Sequence, residues 1–229
     1  MFTEPIPNEL CRNLSSLFPT LSFTEIACPN MGRNSTFFEG DPQHENLELA
    51  AKRLEQFQQK HPNALLANGY LEQRSFYNTK NYERHNATGI EYRNIHLGTD
   101  FWVPAGTPLH CLYKSNVVIS EKNNYHKDYG GLLVLKHHIQ DLAFYTLYGH
   151  LSLNSVDSNP VGKEIGQDEL FAFIGDETEN GHWLPHLHFQ VITDLLGNTK
   201  NFNGVAFPSE IEYWKRLCPN PSWFFHQSF

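Results

Sequence analysis

With 229 residues, of which 40% are hydrophobic and 18% charged, the chain has enough apolar surface for a core, and its length fits one catalytic-sized domain with extensions; global disorder is excluded. A formal charge of −8 from 25 acidic and 17 basic residues lacks the concentrated positive surface that sequence-independent nucleic-acid binding needs. No window approaches the roughly 20 apolar residues of a membrane span, and with a mean hydropathy of −0.48 no membrane insertion is expected.

The first twenty residues carry Glu4, Glu9 and early prolines instead of a basic stretch followed by an apolar one, so no secretory signal is read and a cytoplasmic location is expected. Leu10, Leu14, Leu17 and Phe18 recur at helical spacing until Pro19, which predicts a short amphipathic helix. Cys28 to Pro42, with Gly32, Gly40 and two prolines, reads as loop. A second helical stripe, Leu47, Ala50, Ala51, Leu54 and Phe57, runs among Glu, Gln, Lys and Arg and ends near His61-Pro62. From Gly69 onward the period is closer to two. Strands are predicted at Tyr70–Tyr77, Asn94–Trp102, Pro108–Tyr113, Val117–Ser120, Phe171–Ile174 and Leu187–Thr193. Gly131–His137 and Leu142–Tyr148, split by Gln140-Asp141, predict an antiparallel hairpin. Ser209 and Glu212 are spaced for a capping box on a helix through Leu217, stopped by Pro219, and Trp223, Phe224 and Phe225 are expected to pack back onto the domain. The fold class expected is mainly β, an antiparallel sandwich or barrel, with a helical N-terminal extension over 1–66, a central domain over 67–200, and a C-terminal helix and aromatic tail over 201–229.

Cys11, Cys28, Cys111 and Cys218 form no CxxC pair, so neither a thiolate zinc finger nor a thioredoxin-like dithiol is expected. The 13 histidines are more informative. His96-Leu-Gly-Thr-Asp100 places an imidazole and a carboxylate four positions apart, about 13 Å on a straight strand, too far for one metal; Gly98 supplies freedom for a bend. In His186-Leu-His188-Phe the two imidazoles project from one strand face while Leu187 and Phe189 face an apolar layer, suiting one metal ligand and one acid/base neighbour. Tyr148-Gly-His150-Leu adds a histidine beside a turn. No HExxH occurs, which removes a helix-borne glutamate base.

These motifs, in this order, with Pro104-Ala-Gly106-Thr-Pro108 and Gly162, Gly166 and Gly175, resemble the M23 (LytM/lysostaphin-like) metallopeptidases over roughly Tyr70 to Asp194. The resemblance implies an antiparallel β-sandwich of the duplicated-hybrid-motif type and one zinc per chain on His96, Asp100 and His188, a three-ligand site with a coordination position left open. His150 and His186 would line the same cleft as acid/base or transition-state partners. It implies hydrolysis of peptide bonds, with peptidoglycan-type peptide as the family default. Alternatives are a cytosolic hydrolase of a small peptide or amide, and a degenerate binding or activating module, which would usually have lost ligands. Two departures bear on substrate: the approach to His186 is Asp176 to Pro185 instead of a Ser/Thr/Gly-rich loop, and Tyr70 to Tyr77 with Tyr92 to His96 resembles a subgroup without an export signal.

Other polar residues have blander readings. His137 and His138 face opposite ways on one strand, one to the core and one to the surface; His110 and His126 read as structural or solvated. His182 and Trp183 belong to the approach loop, in contact with substrate or packed in the loop. Arg74 and Arg93 are expected to pair with acidic residues of the protein in preference to a substrate carboxylate, and Tyr148 to make an aromatic core contact in preference to a hydrogen bond near the metal.

Overall fold

The computed structural model describes residues 5–87 and 89–229, so the first four residues of the expected N-terminal extension lie outside it. In chain order the strands are β1 (Glu25–Ala27), β2 (Ala64–Asn68), β3 (Glu83–Asn86), β4 (Gly89–Tyr92), β5 (Ile95–His96), β6 (Thr99–Trp102), β7 (Pro108–His110), β8 (Ser115–Asn123), β9 (Gly130–Ile139), β10 (Leu142–Leu151), β11 (Glu164–Ile165), β12 (Leu170–Phe173), β13 (Leu187–Ile192) and β14 (Val205–Ala206). The helices are α1 (Leu14–Leu17), α2 (Leu47–Lys60), α3 (Leu153–Asp157) and α4 (Ile211–Leu217). The molecule is mainly β.

One eight-stranded sheet, ordered β1-β2-β6-β13-β10-β9-β8-β11, organises it, and β7-β12, β5-β14 and β3-β4 form two-stranded companions. All pairs in the large sheet are antiparallel except β1 with β2. The expected hairpin is β9-β10, closed by Gln140 in the left-handed region at φ 52°.

Both faces of the sheet are covered, which explains the continuous apolar run through β9. On one side Leu133, Leu135, Tyr148, Phe189 and Val191 pack with Phe18, Phe171, Phe224 and Phe225, so the aromatic tail does return to the core. On the other, Leu132, Val134, Leu147 and Ile192 meet Leu97, Phe202, Trp214 and Leu217. A third cluster joins Met31 and Phe38 of the loop before α2 to Leu66, Phe76, Trp102 and Trp183. His137 is buried and His138 exposed.

Three local expectations differ from what is observed. Tyr70–Tyr77 is not a strand: Gly69 at φ 117° and Leu71 at φ 59° turn the chain, and only Gln73 bridges to Ile95. Residues 1–66 carry α1 and α2 but also contribute β1 and the first three residues of β2 to the large sheet. Helix α4 forms without a capping box: the Ser209 hydroxyl accepts from Arg84, and the Ser209 N–H donates to Glu91.

Candidate metal centre

Strands β6 and β13 pair in a register that sets His188 directly opposite Asp100. His96 arrives from β5, on a different sheet, because the chain breaks pairing at Leu97-Gly98 between β5 and β6. Gly98 serves here mainly by having no side chain: a Cβ would lie 2.8 Å from the His188 ring. Gly69 is needed twice over, for its positive φ and because a Cβ would stand 2.7 Å from His96 Nδ1.

The result is a buried triangle of donors. His96 Nε2 is 2.9 Å from His188 Nδ1 and 3.3 Å from Asp100 Oδ1, and His188 Nδ1 is 3.2 Å from the same oxygen. Tetrahedral zinc with bonds of about 2.0–2.1 Å separates its ligand atoms by roughly 3.3–3.4 Å, close to what is observed.

The partners of the other ring nitrogens decide the tautomers. His96 Nδ1 faces the Gly69 carbonyl at 3.1 Å, which can only accept, so Nδ1 carries the proton. His188 Nε2 faces Gln190 Oε1 at 3.0 Å, and the Gln190 amide is oriented by donating to the Asn203 carbonyl. Nε2 of His188 therefore carries its proton. Both imidazoles then turn a lone pair toward the Asp100 carboxylate. Three lone-pair donors at one buried point repel one another unless a cation sits among them, and so these residues fit a metal.

The surroundings hold those charge states. Burial, reinforced by Arg74, drives the His96 pKa down to about 3, so the ring is neutral at pH 7. Burial opposes ionisation of Asp100, yet the permanently charged Arg74 guanidinium holds that carboxyl well below the usual range. Arg74, itself 2% exposed, donates from Nη1 to Asp100 Oδ2 and from Nε to Glu72. Glu72 also accepts from Asn68, whose side-chain oxygen accepts from Trp102. The expected pairing of Arg74 with acidic residues is thus made, and one of its two partners is Asp100 of the donor triangle.

The remaining two site histidines flank the triangle. A register shift in β10 puts His150 in the left-handed region at φ 64°, and its ring comes within 4.3 Å of His186, centroid to centroid. His150 Nδ1 donates to the Asn180 carbonyl at 2.8 Å, and His186 Nδ1 to that of Leu184 at 2.6 Å. His186 stacks on Trp102 and points Nε2 at Asp100 Oδ1, 3.8 Å away. Burial pushes both pKa values down, most strongly for His150. All five residues singled out in the sequence converge here. Reading the sequence alone does not single out Gly69, Asn180, Leu184 or Gln190; three of these act through backbone carbonyls, which have no residue signature, whereas Gln190 is visible as the next residue on the face of His186 and His188.

The centre opens onto a cleft of about 310 Å³ that His150 and His188 share with Tyr77, Arg93, Lys127 and Trp183. Its other flank is closed by the N-terminal extension, where Met31, Phe38 and His44 lie over Asp100 and His186. Trp183 is buried and Tyr148 packs in the core on Phe171 and Phe189, whereas Arg93, expected to pair with an acidic residue, instead donates to Asn203 Oδ1. Among the described residues, no helix is long and apolar enough to cross a membrane.

Comparison with curated proteins finds no match. Among solved structures the chain is similar to the catalytic domain of the antimicrobial peptidase lysostaphin from Staphylococcus simulans, with 22% identity covering 53% of this chain and 80% of that one at a TM-score of 0.36. A zinc-containing peptidase from Vibrio cholerae shares 28% identity, covering 49% of this chain and 34% of that one, TM-score 0.35. The catalytic domain of a prophage-encoded M23 protein from Enterococcus faecalis shares 18%, covering 48% and 75%, TM-score 0.35. Residues 94–203, the stretch that carries His96, Asp100, His150, His186 and His188, match the family model of peptidase family M23.

Proposed function

We propose that the protein is a zinc-dependent hydrolase of peptide bonds, with one zinc per chain on His96, Asp100 and His188. The observation that carries this reading is the orientation of three buried lone pairs toward one point, fixed by Gly69, Gln190 and Arg74. When bound there, zinc supplies Lewis acidity toward a carbonyl and acidifies water.

The chain's own groups would do the rest. His150 and His186 each donate Nδ1–H to a carbonyl, which leaves Nε2 of each as the atom that takes up or delivers a proton. Burial keeps both rings neutral at the start, so they begin as acceptors. Trp102 and Trp183 wall the imidazoles and limit water. The cleft, with Arg93 and Lys127 beside Tyr77 and Tyr82, is at the small end of ligand sites and suits a short peptide stretch, whether from cell-wall peptide or a free oligopeptide. Convergence of all five residues argues against the degenerate module.

The test is metal analysis of the full chain together with mass-monitored digestion of muropeptides and of free oligopeptides. His188→Ala should lose zinc and turnover; His186→Ala should keep zinc and lose turnover. Absence of zinc uptake by the unsubstituted protein, or full turnover in His186→Ala, overturns the reading.

A further inference from the structure

A second group of donors lies on the surface, apart from the buried triangle. Glu45 precedes α2, His126 sits in the turn between β8 and β9, and His182 belongs to the loop before β13. One ligand atom from each falls within 4.8 Å of the others. His126 Nε2 is 3.1 Å from both Glu45 carboxylate oxygens, and the His126 and His182 rings are 5.3 Å apart at 37°. Two imidazoles and a carboxylate are donors suited to a late first-row divalent cation, zinc among them.

The three positions are held by backbone, not left to chance. Asp41 accepts from the N–H groups of Glu45 and Asn46, fixing the first loop. The Lys127 N–H donates to the Gly181 carbonyl, tying the second loop to the third. The Lys127 ammonium donates to the His44 carbonyl and lies 4.1 Å from the Trp183 ring centre, so this cation is turned inward, away from the donors. His44, Lys127 and His182 all sit in the left-handed region, at φ 55°, 63° and 65°, a costly conformation for residues with side chains. Shallow recesses flank His182 on both sides, one reaching Asp41 and Glu45, the other His126 and Glu177.

We infer that Glu45, His126 and His182 form a second divalent transition-metal site, which staples the N-terminal extension to two loops of the M23 segment. Its three ligands come from stretches more than fifty residues apart, so a bound ion cross-links segments that the chain joins only through long connections. The inference does not depend on hydrolytic activity.

The experiment is equilibrium dialysis of the tag-free full chain against buffered micromolar zinc, with the metal counted per chain. The expected result is two equivalents for the unsubstituted protein and one for His126→Ala/His182→Asn, asparagine being chosen because it tolerates the left-handed backbone. His96→Ala/His188→Ala should also retain one, lost again when both pairs are combined. Proteolysis within residues 28–46 should slow on adding zinc to His96→Ala/His188→Ala if that variant is folded by circular dichroism. One equivalent in the unsubstituted protein that is kept in His126→Ala/His182→Asn, or two equivalents in that variant, overturns the second site. One equivalent that is kept in His96→Ala/His188→Ala and lost in His126→Ala/His182→Asn would instead count against the catalytic metal, so the two readings fail separately.

Discussion

Two trios of nearly the same composition stand in one molecule: His96, Asp100 and His188 inside it, and Glu45, His126 and His182 on its surface. The inner donor side chains are each 4% exposed or less, whereas the Glu45 and His126 side chains are 47% and 56% exposed. Inside, every donor is oriented through its other polar atom, by Gly69, Gln190 or Arg74. Outside, Glu45 and His126 contact each other and water can satisfy the rest. The difference teaches that donor identity alone does not make a demanding site; burial makes an unpaired lone pair expensive, and the fold then commits further residues to aiming it.

The largest effect should come from removing the charge that faces the inner carboxylate. Arg74→Ala leaves Asp100 buried without its guanidinium, and breaking such a pair costs about 3–5 kcal/mol. A zinc ion can replace the missing positive charge, so the deficit in denaturant unfolding should shrink when zinc is added. An equal deficit with chelator and with zinc would show that Asp100 is not where the ion sits. The equivalent change outside has no such partner to orphan.

Legibility in the sequence follows the same contrast. Period-two alternation placed His186 and His188 on one face, the two-residue break in the β9-β10 hairpin set its register, and the 3.6-residue stripe marked α2, because each is a local property. Ala64–Asn68 is not legible as a strand: a short apolar run directly after a helix carries no alternation, and its strand character comes from pairing with Thr99–Trp102, far along the chain. Tyr70–Tyr77 reads as extended from its residue types, but the pairing of Arg74 with Asp100 and the reversal at Gly69 are tertiary demands. The inner trio was found through motifs; its aiming groups are mostly carbonyls and stayed invisible. The outer trio has no motif at all, since its members come from three loops.

Burial also separates neighbours on one strand. Burial lowers the His137 pKa to about 4, while its ring packs on Phe144 and its Nε2 contacts the Thr146 hydroxyl at 2.6 Å. The unfolded chain takes up this proton near pH 6.5 and the folded one only near 4. The resulting stability is therefore complete above about 6.5 and lost as pH falls toward 4, roughly 3 kcal/mol in all. His137→Gln, which keeps a donor and an acceptor, should flatten the decline in unfolding free energy across that window, and His138→Gln should leave it unchanged. A decline as steep in His137→Gln as in the parent would show that the ring is not held neutral.

A smaller effect tests the aiming of the inner donors directly. Gln190→Leu removes the acceptor that holds the His188 proton on Nε2 without touching a ligand. Partners of this kind are worth about 10–100-fold in metal affinity, so zinc competition with a chelator should show a loss in that range, with stoichiometry kept. Unchanged affinity would mean that packing alone orients His188.

The smallest change is expected outside, and only in the absence of metal. His126→Ala breaks an exposed contact with Glu45, of a class that contributes about 0–1 kcal/mol, so chelator-treated protein should unfold almost as the parent does. Added zinc stabilises whichever state binds it. With the His96/His188 equivalent already filled, further zinc should raise the melting temperature of the parent and not of His126→Ala. An exposed trio that matters only once metal is present is the behaviour of a ligand set; one whose loss is felt equally with and without metal is an ordinary surface ion pair.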